Sequence, residues 1–398
     1  MSIRQLSDAQ LQGKRALIRV DYNVPLDEDG NVADDARIRA TLPTLEYLRG
    51  REACLILMSH LGRPKGERVE KYSLRPVAQR LSRLLDLDVA FVEGTTTDEA
   101  REASEELKPG DVLLLENTRF DPRETANDPE MARELAALGD VFVNDAFGAA
   151  HRAHASTAGV AAFLEPAATG FLMEKELEHL GDLLEAPEPP FVVILGGAKV
   201  SGKIDLIENL LDRIDQLCIG GAMACTFLRA KGLETGRSLV EEDLIELAGE
   251  LMERAGDTLM LPEDAVVAPD MENGSSSSIV GVEEVPEDQM LLDIGPRSAG
   301  KFKDIAADAR TVLWNGPVGA FEHPPFGAGS RVVTQGLVEA TGRGAKTVVG
   351  GGDTAAALAS FGLTEKVTHV STGGGAALEF LAGKELPGVA ALTEVETT

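Results

Sequence analysis

Five arginines and three histidines (Arg19, Arg37, Arg63, Arg119 and Arg152 with His60, His151 and His154) lie in the first half of the chain, most in short polar turns. The turns read Arg19-Val-Asp21-Tyr-Asn23-Val-Pro25, Ser59-His60-Leu61-Gly62-Arg63-Pro64, Glu116-Asn117-Thr-Arg119-Phe120, and Asn144-Asp145-Ala-Phe-Gly148 followed by His151-Arg152-Ala-His154. Each follows a run of β-forming residues, and Arg37 opens the first helical stretch. The planar guanidinium fork suits phosphate and carboxylate oxygens. One such arginine is most often a surface ion pair. The set of five arginines and three histidines, all but Arg37 at strand ends, in a chain of net charge −28, instead predicts an anion site. Asp21 and Asn23 would take the hydroxyls or carboxylate of a small polar ligand; Asp21 could equally pair with a neighbouring arginine.

The second half places glycines where the first places cations. Its turns are Gly196-Gly197-Ala-Lys199-Val-Ser201-Gly202-Lys203-Ile204, Gly220-Gly221, Trp314-Asn315-Gly316-Pro317-Val-Gly319-Ala-Phe-Glu322, Gly350-Gly351-Gly352-Asp353-Thr354 and Ser371-Thr-Gly373-Gly374-Gly375. Glycines before a helix let backbone N–H groups approach a phosphate, and the helix dipole favours the anion. One glycine pair is ordinary loop chemistry, whereas this series predicts a polyphosphate site. Asp353 reads either as a magnesium ligand, since a hard cation takes carboxylate oxygen, or as a helix N-cap. Glu322 could accept from ribose hydroxyls. Gly197 to Lys203 fits G-x-x-x-x-G-K, but Ile204 stands where a P-loop needs Ser or Thr. A P-loop NTPase is the alternative reading.

The elements that must position these turns alternate. Arg15–Val20, Ala53–Met58, Asp111–Leu115 and Val141–Asn144 read as strands, with helices over Leu74–Leu85 and Pro129–Leu138. Phe191–Leu195, Gln216–Ile219, Thr311–Trp314, Thr347–Val349 and Val367–Val370 continue the strands, with helices over Ile204–Leu211 and Ala355–Phe361. Alternation of this kind predicts an α/β chain with doubly wound parallel sheets, and ligands beyond the carboxyl ends of the strands. At 398 residues, two domains are expected, divided near the proline-rich Leu184–Pro190 segment into 1–185 and 186–380.

Composition narrows the function classes. Sixty-six acidic residues against 38 basic ones argue against nucleic acid and anionic membranes as partners. The acids are dispersed along helix faces, and a surface of this kind suits a high-salt cytoplasm, where ions screen self-repulsion. No apolar run reaches membrane-spanning length and the start carries no signal-peptide core, so a cytoplasmic protein is expected. Cys54, Cys218 and Cys225 lack metal spacing and read as buried thiols. No long apolar stripe is left over for a partner, so the expectation is a monomer.

The segments Arg19-Val-Asp21-Tyr-Asn23-Val-Pro25, His60-Leu-Gly-Arg-Pro, Asn144-Asp-Ala-Phe-Gly, Gly196-Gly-Ala-Lys-Val, Trp314-Asn-Gly-Pro and Gly350-Gly-Gly-Asp-Thr together resemble phosphoglycerate kinases, in that family's order and over almost the whole chain. Tyr22, Ala150, Gly202 and Arg297 depart from its usual residues. The resemblance implies two Rossmann-like domains joined by a hinge, with residues 381–398 returning to the first. It implies reversible, magnesium-dependent transfer of the acyl phosphate of 1,3-bisphosphoglycerate to ADP, giving 3-phosphoglycerate and ATP. By position, Arg19, Asp21, Asn23, Arg37, His60, Leu61, Gly62, Arg63, Arg119 and Arg152 would bind the glycerate. Gly197, Lys199, Lys203, Gly221, Asn315, Glu322, Gly351, Gly352, Asp353 and Thr354 would bind the nucleotide, with magnesium on Asp353. The halophilic character suggests an archaeal source. A carboxylate acceptor is already ionised at neutral pH, so no general base is needed. Arg37, Lys199 and Lys203 would share the charge of the transferred phosphoryl group, assisted by N–H groups near Gly373 and Gly374.

Overall fold

A computed structural model describes residues 3–392 except residues 9 and 273. The chain forms two compact units, one comprising Met1–Glu178 with Glu385–Thr398 and the other His179–Lys384. In the first unit β1 (Arg15–Val20), α1 (Ala36–Gly50), β2 (Cys54–Met58), α2 (Arg75–Leu85), β3 (Val89–Val92) and α3 (Asp98–Glu105) come in turn. They are followed by β4 (Val112–Leu115), α4 (Pro122–Thr125), α5 (Pro129–Ala136), β5 (Val141–Asp145), β6 (Ala167–Thr169) and α6 (Phe171–Glu185), which carries the chain into the second unit. The six strands are parallel, in the order β3-β4-β2-β1-β5-β6.

Burial explains the near-continuous apolar strands. Ala16, Ile18 and Val20 of β1 face one cluster with Leu45, Leu57 and Leu81, while Leu17 faces another with Ile56, Phe142 and Leu135. A parallel sheet covered on both faces needs apolar residues at every position. At the start of α6, the amide of Met173 donates to Asp145 Oδ1 (3.1 Å) and that of Phe171 to Thr44 Oγ1 (3.0 Å).

The second unit continues with β7 (Phe191–Leu195), α7 (Ile204–Leu210), β8 (Gln216–Ile219), α8 (Met223–Ala230), α9 (Ile245–Ala255) and β9 (Leu259–Met260). After β10 (Asp264–Ala268), β11 (Ser278–Gly281) and β12 (Met290–Ile294) come α10 (Pro296–Asp308), β13 (Thr311–Asn315), α11 (Ala328–Gly342), β14 (Lys346–Gly350), α12 (Gly352–Ser360), β15 (His369–Val370) and α13 (Gly375–Leu381). Its parallel sheet has the order β15-β14-β13-β7-β8-β9. β10, β11 and β12 form a separate antiparallel sheet.

Beyond the second unit, α14 (Pro387–Ala390) packs on the first: the Gly388 amide donates to the Ala150 carbonyl (2.8 Å), and Asn144 Nδ2 to the Gly388 carbonyl (3.0 Å). A Cβ on Gly388 would lie 2.9 Å from Ala150 Cα, so the small side chain at 150 matches this close approach. Residues 393–398 of the returning tail lie outside the described residues. No helix among the described residues is long and apolar enough to cross a membrane.

Candidate functional site

In the first unit the order turns at β1, whose neighbours are β2 and β5, and the cation-bearing turns leave the carboxyl ends of β1, β2, β4 and β5. Gly62 ties three of these turns together. Its amide donates to Asn23 Oδ1 (2.9 Å) and its carbonyl accepts from Arg119 Nη1 (2.9 Å). Its φ of +62° and the Tyr72 ring, 2.3 Å from where a Cβ would stand, explain the glycine. The carbonyl of Leu61 accepts from Asn117 Nδ2 at 2.7 Å. Arg37 Nη1 bonds Asp21 Oδ2 (2.9 Å) and the Asn23 carbonyl (3.3 Å), so Asp21 pairs with an arginine. Tyr22 is buried and places its hydroxyl 2.9 Å from Thr41 Oγ1.

Arg119 is the cation of this rim best placed to take an anion. Its Nε is buried and has no hydrogen-bond partner among the described residues. Burial, then Arg19 and Arg152, push its pKa down to about 10, still leaving it charged at neutral pH. An unmet donor on a crowded cation is what a phosphate or carboxylate would satisfy. Arg63 and Arg152 are exposed, and Arg152 Nε donates to His151 Nε2 (3.0 Å).

Arg19 differs from the expected substrate ligand. Its side chain is fully buried, with Nε donating to Ser156 Oγ (2.8 Å), Nη1 to the Val20 carbonyl, and Nη2 lying 3.0 Å from His60 Nδ1. The guanidinium is therefore spent inside the unit. Since it has no acceptor, His60 Nδ1 must accept, which assigns the His60 proton to Nε2. Burial, and next Arg19, hold the His60 pKa well below 6.5, so the ring is neutral. His154 is likewise pushed down to about 4, by burial and then Arg119.

Two buried carboxylates brace this rim. Glu124 accepts from Ser156 N (2.9 Å), Ser156 Oγ (2.6 Å) and Thr118 Oγ1 (3.2 Å). Glu116 accepts from Ser73 Oγ (2.8 Å), Leu74 N (2.9 Å) and Asn117 N (2.8 Å). Sequence reasoning assigned no role to Asn117, Glu124 or Ser156; only the position of Asn117 inside a cationic turn hinted at one.

In the second unit the strand order turns between β7 and β13, the place where a doubly wound sheet opens a crevice. The turns after β7, β8 and β13 pack backbone against backbone. A Cβ on Gly196 would lie 2.2 Å from the Pro317 carbonyl oxygen, and one on Gly316 2.2 Å from that of Gly196. One on Gly221 would lie 2.6 Å from the Gly197 nitrogen. The amides of Gly197 and Gly221 donate to the Pro317 (2.8 Å) and Val318 (3.0 Å) carbonyls. Lys203 Nζ crosses this junction to the carbonyls of Gly196 (2.6 Å) and Asn315 (2.7 Å). Burial lowers its pKa to about 8, opposed by Asp353.

Lys199, Glu322, Gly352 and Asp353 are exposed. Gly351, at φ +90°, is the N-cap of α12, and Asp353 stands in the first turn, past the cap position. Thr354 is turned inward, its Oγ1 accepting from Gly316 N (2.7 Å). Gly374 (φ +51°) leads into α13, and the Gly373 amide donates to Ser371 Oγ (3.1 Å). Among the described residues no three His, Cys, Asp or Glu side chains converge as a metal cage.

The G-x-x-x-x-G-K spacing does not form a phosphate cradle. Glu241 accepts from the amides of Val200 (2.5 Å) and Ser201 (3.1 Å), and Lys203 is engaged by main-chain carbonyls. The donors and the lysine of a P-loop are thus already occupied.

Comparison with known proteins agrees. The family profile described as phosphoglycerate kinase matches residues 6–384. A phosphoglycerate kinase of Chloroflexus aggregans is 55% identical over 401 residues, covering 100% of both chains. That of Chlorobium luteolum is 53% identical, covering 98% of this chain and 100% of its own. The solved phosphoglycerate kinase of Coxiella burnetii superposes with a TM-score of 0.88 at 40% identity, covering 98% of each chain, and that of Pyrococcus horikoshii OT3 with 0.88 at 35%, also covering 98% of each. The expected origin in a halophilic archaeon finds no support, because the relatives at 53–55% identity are bacterial. The chain belongs to the phosphoglycerate kinase family.

Proposed function

We propose that the first unit binds 3-phosphoglycerate or 1,3-bisphosphoglycerate and the second binds ATP or ADP. The buried, unmatched Nε of Arg119 is the observation that carries the first assignment. In the proposal Arg119, Arg63 and Arg152 anchor the distant phosphate of the glycerate. His60 would donate from Nε2, and Asn23 and Asp21 would take the remaining polar groups. Arg19 serves as a positioning residue that fixes the His60 tautomer.

Arg37, Lys199 and Lys203 would share the charge of the phosphoryl group in transit, with N–H groups near Gly373 and Gly374 assisting. The acceptor carboxylate is already ionised, so positioning and neutralisation suffice. Asp353 would hold a magnesium ion arriving with the nucleotide, whose charge would offset that of the phosphates; one exposed carboxylate fits, because magnesium is commonly held by few carboxylates plus substrate phosphates. Glu322 would take the ribose hydroxyls.

A coupled assay for ATP formed from 1,3-bisphosphoglycerate and ADP tests the reading. Arg37→Ala is expected to lower turnover at saturating substrates by on the order of 10²-fold; near-normal turnover would remove Arg37 from the mechanism. With the substrates on different units, transfer implies hinge closure, and solution scattering should show compaction only when both ligands are present. We also infer a monomeric cytoplasmic enzyme and, from the dispersed excess of acids, adaptation to high salt. Activity that falls as potassium chloride drops from molar levels supports the salt adaptation, and full activity in dilute buffer ends it.

A further inference from the structure

The turn from β7 to α7 carries both lysines of the proposed mechanism, yet no regular element holds residues 197–203. Main-chain bonds tie its ends, and a single carboxylate braces its middle. Glu241 Oε2 accepts from Val200 N (2.5 Å) and Ser201 N (3.1 Å), while Oε1 accepts from Ser201 Oγ (2.6 Å). Glu241 is itself fixed, its amide donating to Thr226 Oγ1 on α8 at 3.1 Å. Burial works to raise its pKa, but the Ser201 hydroxyl, the Ser201 and Val200 amides and Lys199 outweigh it and hold the pKa below the usual glutamate value.

Two successive amides and a hydroxyl are the donors with which such a turn would grip a phosphate. Filled internally, they leave Lys199 exposed on one side of the clamp and Lys203 crossing to the Gly196 and Asn315 carbonyls on the other. We propose that Glu241 is a positioning residue for phosphoryl transfer: it occupies the anion-binding amides of this turn, so that the nucleotide phosphates meet the two ammonium groups in a fixed geometry. The inference rests on the roles proposed above for Lys199 and Lys203.

The test measures kcat, and KM for ADP and for 1,3-bisphosphoglycerate, in the full-length parent, Glu241→Ala, Glu241→Gln, Ser201→Ala, Lys199→Ala and Lys203→Ala. Misplacing reacting groups by about 1 Å can cost 10²-fold. Glu241→Ala is therefore expected to lose roughly 10- to 100-fold in kcat/KM for ADP, with KM for 1,3-bisphosphoglycerate within about twofold of the parent. Glutamine keeps an oxygen for both amides and a polar group for Ser201, so Glu241→Gln should restore most of the loss. Ser201→Ala removes one bond of three and should show a smaller loss in the same parameter, which decides the matter if Glu241→Ala does not fold.

Full kcat/KM for ADP in Glu241→Ala or Ser201→Ala, beside impaired lysine variants, overturns the positioning role. So does a loss in Glu241→Gln equal to that in Glu241→Ala, or an equal loss toward both substrates. Unimpaired lysine variants overturn the underlying reading instead.

Discussion

The two units each build a sheet of six parallel strands, and each gathers its candidate ligand-binding turns at the strands' carboxyl ends, yet by opposite means. The first presents side chains, with arginines and neutral histidines braced by buried carboxylates. The second presents main chain, with glycines packed so closely that a methyl group would strike a carbonyl oxygen. Side-chain recognition can be altered one group at a time. Recognition by closely packed backbone stands or falls with the fold around it.

Substituting Gly316 by Ala should break the second unit most. Its φ of +94° and a Cβ 2.2 Å from the Gly196 carbonyl oxygen leave no room. A loss of about 3 kcal/mol or more is expected, roughly 6–12 °C in Tm by calorimetry. Gly202→Ala, in the same region but with nothing within 4 Å of its Cβ, should stay within about 0.5 kcal/mol. In the first unit Arg119→Ala should leave the fold standing and lower kcat/KM for 3-phosphoglycerate by roughly 10- to 100-fold, with Arg119→Lys recovering only part.

Acidity separates the units again, with smaller effects. Lys203 has a folded pKa of about 8, below the ordinary value of 10.5, so the folded state binds fewer protons between those values. Stability therefore rises with pH across that window as kcat/KM for ADP falls. Urea unfolding and steady-state kinetics from pH 7 to 10 should show the two opposed trends, and Lys203→Met should flatten the stability trend. Smallest of all is the response of the first unit. With His154 pushed down to about 4 and His60 well below 6.5, KM for 3-phosphoglycerate should show no titration of either ring between pH 6 and 8.

Much of this contrast was legible in the sequence. The parallel strands bearing the ligand turns were readable because burial on both faces demands unbroken apolar runs, as in Phe191–Leu195. Short strands escaped: β9 has two residues, and β3 at the edge is partly exposed, so neither carries a periodic signal. The antiparallel strands β10 to β12 broke the expected alternation and went unread. In the site, residue type was readable but direction was not. Arg19 has the right chemistry and points inward to Ser156 and His60. The G-x-x-x-x-G-K spacing is present, but the group that fills its amides comes from Glu241, far along the chain. Pairings of that kind are tertiary facts with no local signature.

The return of α14 to the first unit has a consequence for synthesis. A ribosome delivers residues 179–384 before Gly388 can meet Asn144 and Ala150. The nascent first unit must wait, with its last contacts unmade, while the second emerges with all its strands. The unit made first is thus the later to be completed, and a chain stalled near its end would carry the lesion in its opening half.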